Sequence, residues 1–338
     1  MDSPIALYWI RSERAAGAPD PHGDRILRRC AAAAGRHGMD LRSATVDDIV
    51  VACDGGEPSV RVHGTPVSPH EVFFHTKLMS WPANAVDVWR HLTTYAVLEE
   101  AGFCVTVPAL HSMVNNDKLL AGLQDFGPGV RPLPTLRLPT RAYYPGQYDL
   151  QALGIGYPAV VKPSDWGGGN AVFVADGPRR LHEVLVLASA SERTMVVQPW
   201  LGPDTRDHRV YCFDGEPARS SVRRLAAGAA AGNVTQGGSA ALAEPPAALL
   251  GPARAVARAI GLPYVCVDFL EAGGDFWFSE IEVDGGTSVG GAELTAARFG
   301  AYRRHFDRFR SPSAPPRRWT WQPGPVPTGP PPLPVPPR

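Results

Sequence analysis

Four carboxylates interrupt two apolar runs late in the chain, where a plain core strand would avoid them. Asp268 lies in YVCVDFL (264–270), and Glu280, Glu282 and Asp284 lie in FWFSEIEVD (276–284). The Gly273–Gly274 pair between the runs predicts a β-hairpin. Spacing at i, i+2 and i+4 sends Glu280, Glu282 and Asp284 to one strand face, and Asp268 can meet that face from the partner strand. Charges set into apolar strands are costly unless paired or bound to a cation. Grouped hard oxygens suit Mg²⁺ or Mn²⁺, ions that keep waters and bridge to phosphates. A solvated sheet face with its charges in water has the same pattern.

A second feature that could do chemistry is YPAVVKPSDWGGGNAVFVA (157–175), where Lys162 ends a strand and Gly167, Gly168 and Gly169 form a turn. Backbone N–H groups of such a turn can approach an anion closely, and the lysine adds a point charge beside them. The order is strand–loop–strand without GKS or GKT, so it is no Walker loop, and a simple hairpin turn fits as well. Trp166 fits either a cap over a ligand or a surface aromatic.

The elements that must position these residues read as two units. Ile5–Ile10, Glu71–His75 and Phe103–Val107 have strand character and alternate with helical stretches at 24–34 and 84–101. That alternation predicts a parallel α/β sheet over residues 1–110. No GxGxxG follows the first strand, so a dinucleotide site is not expected. His75, Lys77 and Trp81 follow a strand end, where open α/β sheets bind ligands. In the second unit, Asn115–Asn116 offers a cap to a helix at DKLLAGLQDFG (117–127), and Met195–Gln198 is a buried type of strand. Strand, turn and strand follow over 208–224, with helices at 179–190, 253–260 and 291–310. From Ser311 proline dominates, and such a tail cannot bury a core, so disorder is expected there.

Composition narrows the function class. The 338 residues carry 33 basic and 33 acidic side chains, so no global field favours nucleic acid or an anionic membrane. Five scattered cysteines without a CxxC pair fit reduced thiols and a cytoplasmic location. No run reaches transmembrane length and the first residues lack signal-peptide character. Homo-oligomers are compatible with the sequence, which sets no stoichiometry.

Over about residues 112–290 the chain resembles the ATP-grasp superfamily, and within it the RimK-like carboxylate–amine ligases. The matching stretches are NNDKLL, VVKPSDWGGGNAVFV, VVQPWLGPDTRDHRVYCFDGEPARSSVRR, GNVTQGGSA and VCVDFL…SEIEVDGGTS. The resemblance implies a two-lobed ATP-grasp fold over 111–310 (111–200 nucleotide-lid lobe, 201–310 metal and catalytic lobe) behind an α/β pre-ATP-grasp domain. It implies that Lys118 and Lys162 hold nucleotide phosphates under the Gly167–Gly169 lid. Gln198, Pro199, Trp200 and Leu201 would form the hinge at adenine, and Asp207 would face ribose or metal-bound phosphate. Arg209 and Arg223 would approach the acyl phosphate, with Asn233 as a further catalytic residue. Asp268, Glu282 and Asp284 match the metal set, which would hold two Mg²⁺ or Mn²⁺ ions. Three residues depart from the family pattern: Pro199 replaces an acid, Asp284 an asparagine, and Gln236 an arginine. The implied reaction joins a carboxylate to an amine through an acyl phosphate. A small-molecule kinase and a non-catalytic nucleotide-binding regulator are the alternatives.

Overall fold

A computed structural model describes residues 4–11, 21–76, 85–138, 149–152, 154–191, 193–224, 239–287 and 289–311. Lys77, Trp81, Asn233, Gln236 and the proline-rich tail lie outside the described residues.

The first unit contains β1 (Ile5–Ile10), α1 (Pro21–Gly35), β2 (Met39–Ala44), β3 (Ile49–Asp54), β4 (Glu57–Val62), β5 (Thr65–Val67), β6 (Val72–His75), α2 (Ala85–Glu100) and β7 (Cys104–Val105). The alternation of β1 decides its two neighbours. Ile5 and Leu7 pack with α1 residues Cys30, Ala33 and Ala34, whereas Ala6, Tyr8 and Ile10 pack with Tyr95 and Leu98 of α2. The expected parallel sheet is present, in the order β2-β1-β6-β7. A small antiparallel sheet, β3-β4-β5, was not expected. Its strands are largely exposed, with only Val60 and Val62 of β4 fully buried, even though β3 (IVVACD) is apolar over most of its length.

The chain continues through α3 (Ala109–Asn116), α4 (Lys118–Leu123), β8 (Leu136–Arg137), β9 (Ala159–Pro163), β10 (Phe173–Ala175), α5 (Pro178–Ala190) and β11 (Met195–Pro199). The four strands form an antiparallel sheet, β10-β9-β11-β8, with α5 on one face. Asn115 and Asn116 end α3 and do not cap the next helix as expected. Asp117 does, its side chain accepting from the N–H groups of Leu119 and Leu120.

The last part holds β12 (Arg206–Phe213), β13 (Glu216–Arg224), β14 (Ser239–Ala243), α6 (Ala247–Ile260), β15 (Tyr264–Ala272), β16 (Asp275–Glu282) and α7 (Gly291–Phe309). Its sheet runs β14-β13-β12-β15-β16, antiparallel throughout. Both expected hairpin turns are of the kind that needs positive φ at two residues, Asp214–Gly215 (50° and 83°) and Gly273–Gly274 (60° and 87°). One face of this sheet, with Val210, Cys212, Val265 and Val267, packs on α6. Helix α7 returns to the first sheet beside α1, where Phe306 stacks on Phe73 with ring centres 4.6 Å apart.

Candidate active site

The other face of the β12–β16 sheet is apolar toward Tyr211, Tyr264 and Cys266, which pack with α1 and α7, and polar at its other end. Asp207 and Arg209 on β12, Arg223 on β13, Asp268 on β15, and Glu280 and Glu282 on β16 all project there. Register places Arg209 opposite Asp268, Asp268 opposite Glu280, and Asp207 opposite Arg223. Asp268, Glu280 and Glu282 each offer a carboxylate oxygen, and these oxygens lie within 4.8 Å of one another. Asp284 is not in this group. Strand β16 ends at Glu282 and the chain turns, so the i, i+2, i+4 alternation stops one step short and Glu280 is the third member.

The carboxylates are paired with arginines. Arg209 donates to Asp268 in a two-pronged arrangement, Nε to Oδ1 at 2.9 Å and Nη2 to Oδ2 at 2.6 Å. The same Nη2 lies 2.6 Å from Glu282 Oε1. Arg223 Nη2 donates to Asp268 Oδ2 at 2.6 Å and to Asp207 Oδ1 at 2.8 Å. Sequence reading placed both arginines toward a transferring phosphoryl group. Here they already bind the carboxylates, with both oxygens of Asp268 engaged. Burial pushes Asp268 up, but Arg209 and Arg223 outweigh it and hold it below the usual carboxylate range. Burial also pushes Glu280 up, and there Lys118 and Lys162 win and hold it low. For Glu282 and Asp207 burial prevails and both are raised.

A cleft of about 790 Å³, counting open solvent at its mouth, separates this face from the β8–β11 sheet. Lys118, Lys162, Gly167, Gly168, Gly169, Gln198, Pro199, Trp200, Leu201 and Asp207 all line it, and it ends on Glu280. Lys118 is buried and tied down. Its Nζ donates to Trp166 O at 2.6 Å and lies 3.4 Å from Glu280 Oε2. Lys162 makes no hydrogen bond through its ammonium among the described residues, and burial lowers its pKa to about 8. Gly168 and Gly169 have φ of 69° and 73°, a backbone conformation that side-chain-bearing residues rarely adopt. Gln198 uses its amide internally, Nε2 donating to Thr135 Oγ1 at 2.8 Å. Trp166 lines the cleft with the Arg193 guanidinium 5.1 Å from its ring centre. Sequence reading missed Val160 in the lining, although period two from Lys162 points to it.

Four acidic and four basic side chains thus face one another around the cleft floor: Asp207, Asp268, Glu280 and Glu282 against Lys118, Lys162, Arg209 and Arg223. Such a site accepts a ligand that is itself close to neutral, such as a tetra-anion carrying two divalent cations. The donor set fits hard cations, and a cation would relieve the repulsion among the three grouped carboxylates.

No family model and no curated protein matches the sequence. Solved structures do match in fold. The D-alanine–D-alanine ligase of Bacillus anthracis complexed with ATP is 15% identical, with a TM-score of 0.61 over 90% of this chain and 98% of that one. The ATP-grasp ligase PsnB, complexed with a phosphomimetic variant of its minimal precursor, Mg and ADP, is 14% identical, with a TM-score of 0.60 over 91% and 99%. The macrocyclase MdnC from Microcystis aeruginosa, bound with precursor peptide MdnA, is 11% identical, with a TM-score of 0.60 over 88% and 99%. The fold is that of ATP-grasp proteins.

Proposed function

We propose that this chain is an ATP-dependent ligase of the RimK-like kind, joining a carboxylate to an amine through an acyl phosphate and releasing ADP and phosphate. The observation that carries the reading is the cleft itself. It gathers two lysines and a glycine turn and ends on a carboxylate cluster crossed by arginines. A carboxylate does not acylate an amine because its oxide leaving group is too poor. Phosphorylation supplies a good one, provided the γ-phosphoryl charge is spread and water is excluded.

Lys118 and Lys162, with the N–H groups of Gly167–Gly169, bind and orient the phosphates. Gln198, Pro199, Trp200 and Leu201, which line the cleft, would meet a purine, and Asp207 would face ribose or metal-bound phosphate. Asp268, Glu280 and Glu282 would hold Mg²⁺ or Mn²⁺, two ions by charge balance, supplying neutralisation of the phosphoryl oxygens. Arg209 and Arg223 keep these carboxylates in place and set positive charge beside the acyl phosphate. Asn233 and Asp284 are carried only by the resemblance.

The test is ADP release by the purified chain with Mg²⁺, ATP and a panel of carboxylic acids, with and without amines. Release that needs both an acid and an amine supports the proposal. Release with an alcohol alone, giving a stable phosphate ester, would make the protein a kinase. Magnesium-dependent ATP binding without turnover on the whole panel would make it a regulator.

A further inference from the structure

Helix α7 carries an arginine that the proposed reaction does not use. Arg298 is 5% exposed and its guanidinium faces the rings of Phe299, Tyr264 and Tyr302 at 5.3, 5.6 and 5.8 Å. Rings compensate a buried charge only in part. Its hydrogen bonds are marginal. Nη1 donates to Gly285 O at 3.5 Å, Nη2 lies 3.7 Å from Cys30 Sγ, and Nε has no acceptor among the described residues. One turn further along α7, the buried hydroxyl of Tyr302 also has no hydrogen-bond partner among the described residues. Asp284 is the carboxylate that acts on Arg298, after the rings of Tyr302 and Tyr264 and the Cys30 thiol. A fork of five N–H donors left so nearly empty in the interior is unfavourable. A planar anion with two acceptor oxygens would satisfy both Arg298 and Tyr302.

The position points to a substrate. The His75 ring lies 5.2 Å from Tyr302 and 5.4 Å from Trp9, so α7 meets the carboxyl ends of β1 and β6 here, the edge at which open α/β sheets take ligands. On the other side, Gly285 bridges Arg298 to the carboxylate cluster. A Cβ on Gly285 would lie 3.1 Å from Glu282 Oε2 and 2.6 Å from Cys266 Sγ. The nucleotide cleft reaches the same cluster at Glu280. From the cleft outward the order is therefore Glu280 and Glu282 on β16, Gly285 just past its end, and then Arg298 on α7.

We infer that Arg298 and Tyr302 bind a carboxylate of the substrate that is not the one activated, at the junction of the first sheet and the end of β16. The word substrate rests on the ligase reading; the anion site itself does not. The protein then selects a reactant bearing a second carboxylate. Its uncharged amide leaves the guanidinium unpaired and binds poorly.

The full-length chain is tested by thermal unfolding, with succinate and glycine as probes and succinamide and glycinamide as their uncharged counterparts, each with and without MgATP. The acids raise Tm by about 2 °C or more at saturating concentration and the amides do not. In Arg298→Met that response is lost while the MgATP response is kept. Tyr302→Phe, which removes one hydroxyl, weakens the acid response several-fold and covers the case of an Arg298→Met chain that does not fold. Equal responses to acid and amide, no response to either acid, or an acid response unchanged in Arg298→Met or Tyr302→Phe would overturn the inference. Loss of the MgATP response in the unmodified chain would instead strike the ligase reading and leave the anion site standing.

Discussion

Lys162 gives the sharpest energetic expectation. Burial lowers its pKa from 10.5 to about 8, with Lys118 adding to the fall and Glu280 opposing it. At about 1.36 kcal/mol per unit, the charged form is disfavoured in the folded cleft by about 3 kcal/mol. Because the folded pKa lies below the unfolded one, the unfolded chain binds more protons between about pH 8 and 10.5. The penalty is therefore fully present below about pH 8 and fades as the pH rises to about 10.5. Lys162→Met keeps the apolar stem and removes the charge. It should stabilise the protein at neutral pH by about 1–3 kcal/mol, or roughly 2–6 °C in Tm, the lower end reflecting partial solvent screening. That advantage should vanish by about pH 10.5. The same variant should bind MgATP about 10- to 100-fold more weakly, since a charge-assisted contact to phosphate is lost. Thermal unfolding at pH 7 and above pH 10, with calorimetric titration of MgATP, reads all three quantities. A variant less stable at pH 7, with a deficit that does not change with pH, would mean that Lys162 is a satisfied structural lysine and would refute the reasoning.

Three further outcomes follow from particular contacts. Asp117→Ala removes the cap of α4, whose Oδ1 accepts at 3.0 Å from both Leu119 N and Leu120 N; it should cost about 1 kcal/mol in a denaturant titration and weaken MgATP binding through the adjacent Lys118. Gly285→Ala would set a methyl 2.6 Å from Cys266 Sγ; unfolding should register a loss of about 1–3 kcal/mol, with ADP release reduced through the displaced Glu282. Glu280→Gln keeps a side chain that can accept from Lys118, so Tm should change by no more than about 2 °C, while the Mg²⁺ concentration needed for half-maximal ATP binding rises at least about tenfold.

The long apolar strands were legible because each buries one or both faces and their turns carry glycine: β1, β9, β11, and the β15–β16 hairpin. The exposed strands β4 and β5 and the polar edge strand β2 were not, since solvated side chains leave no alternation to read, and the apolar run of β3 (IVVACD), which buries none of its residues fully, went unread. Helix α6 begins six residues earlier than its sequence suggests because it continues through Pro252. At the site, residue types and strand parity brought out Asp268, Glu280 and Glu282, but parity could not say where β16 ends, so Asp284 was grouped with them. The pairing of Arg209 and Arg223 with Asp268 depends on which strands are neighbours, and that is a property of the sheet order.

The central claim is that Asp268, Glu280 and Glu282 grip divalent cations against a nucleotide in this cleft. It is tested most directly by Glu282→Gln, which leaves Arg209 bonded to Asp268 and so preserves the fold. With Tm within about 2 °C of the unmodified chain, magnesium-dependent ADP release should fall by about a hundredfold or more. Undiminished ADP release by that folded variant would contradict the account.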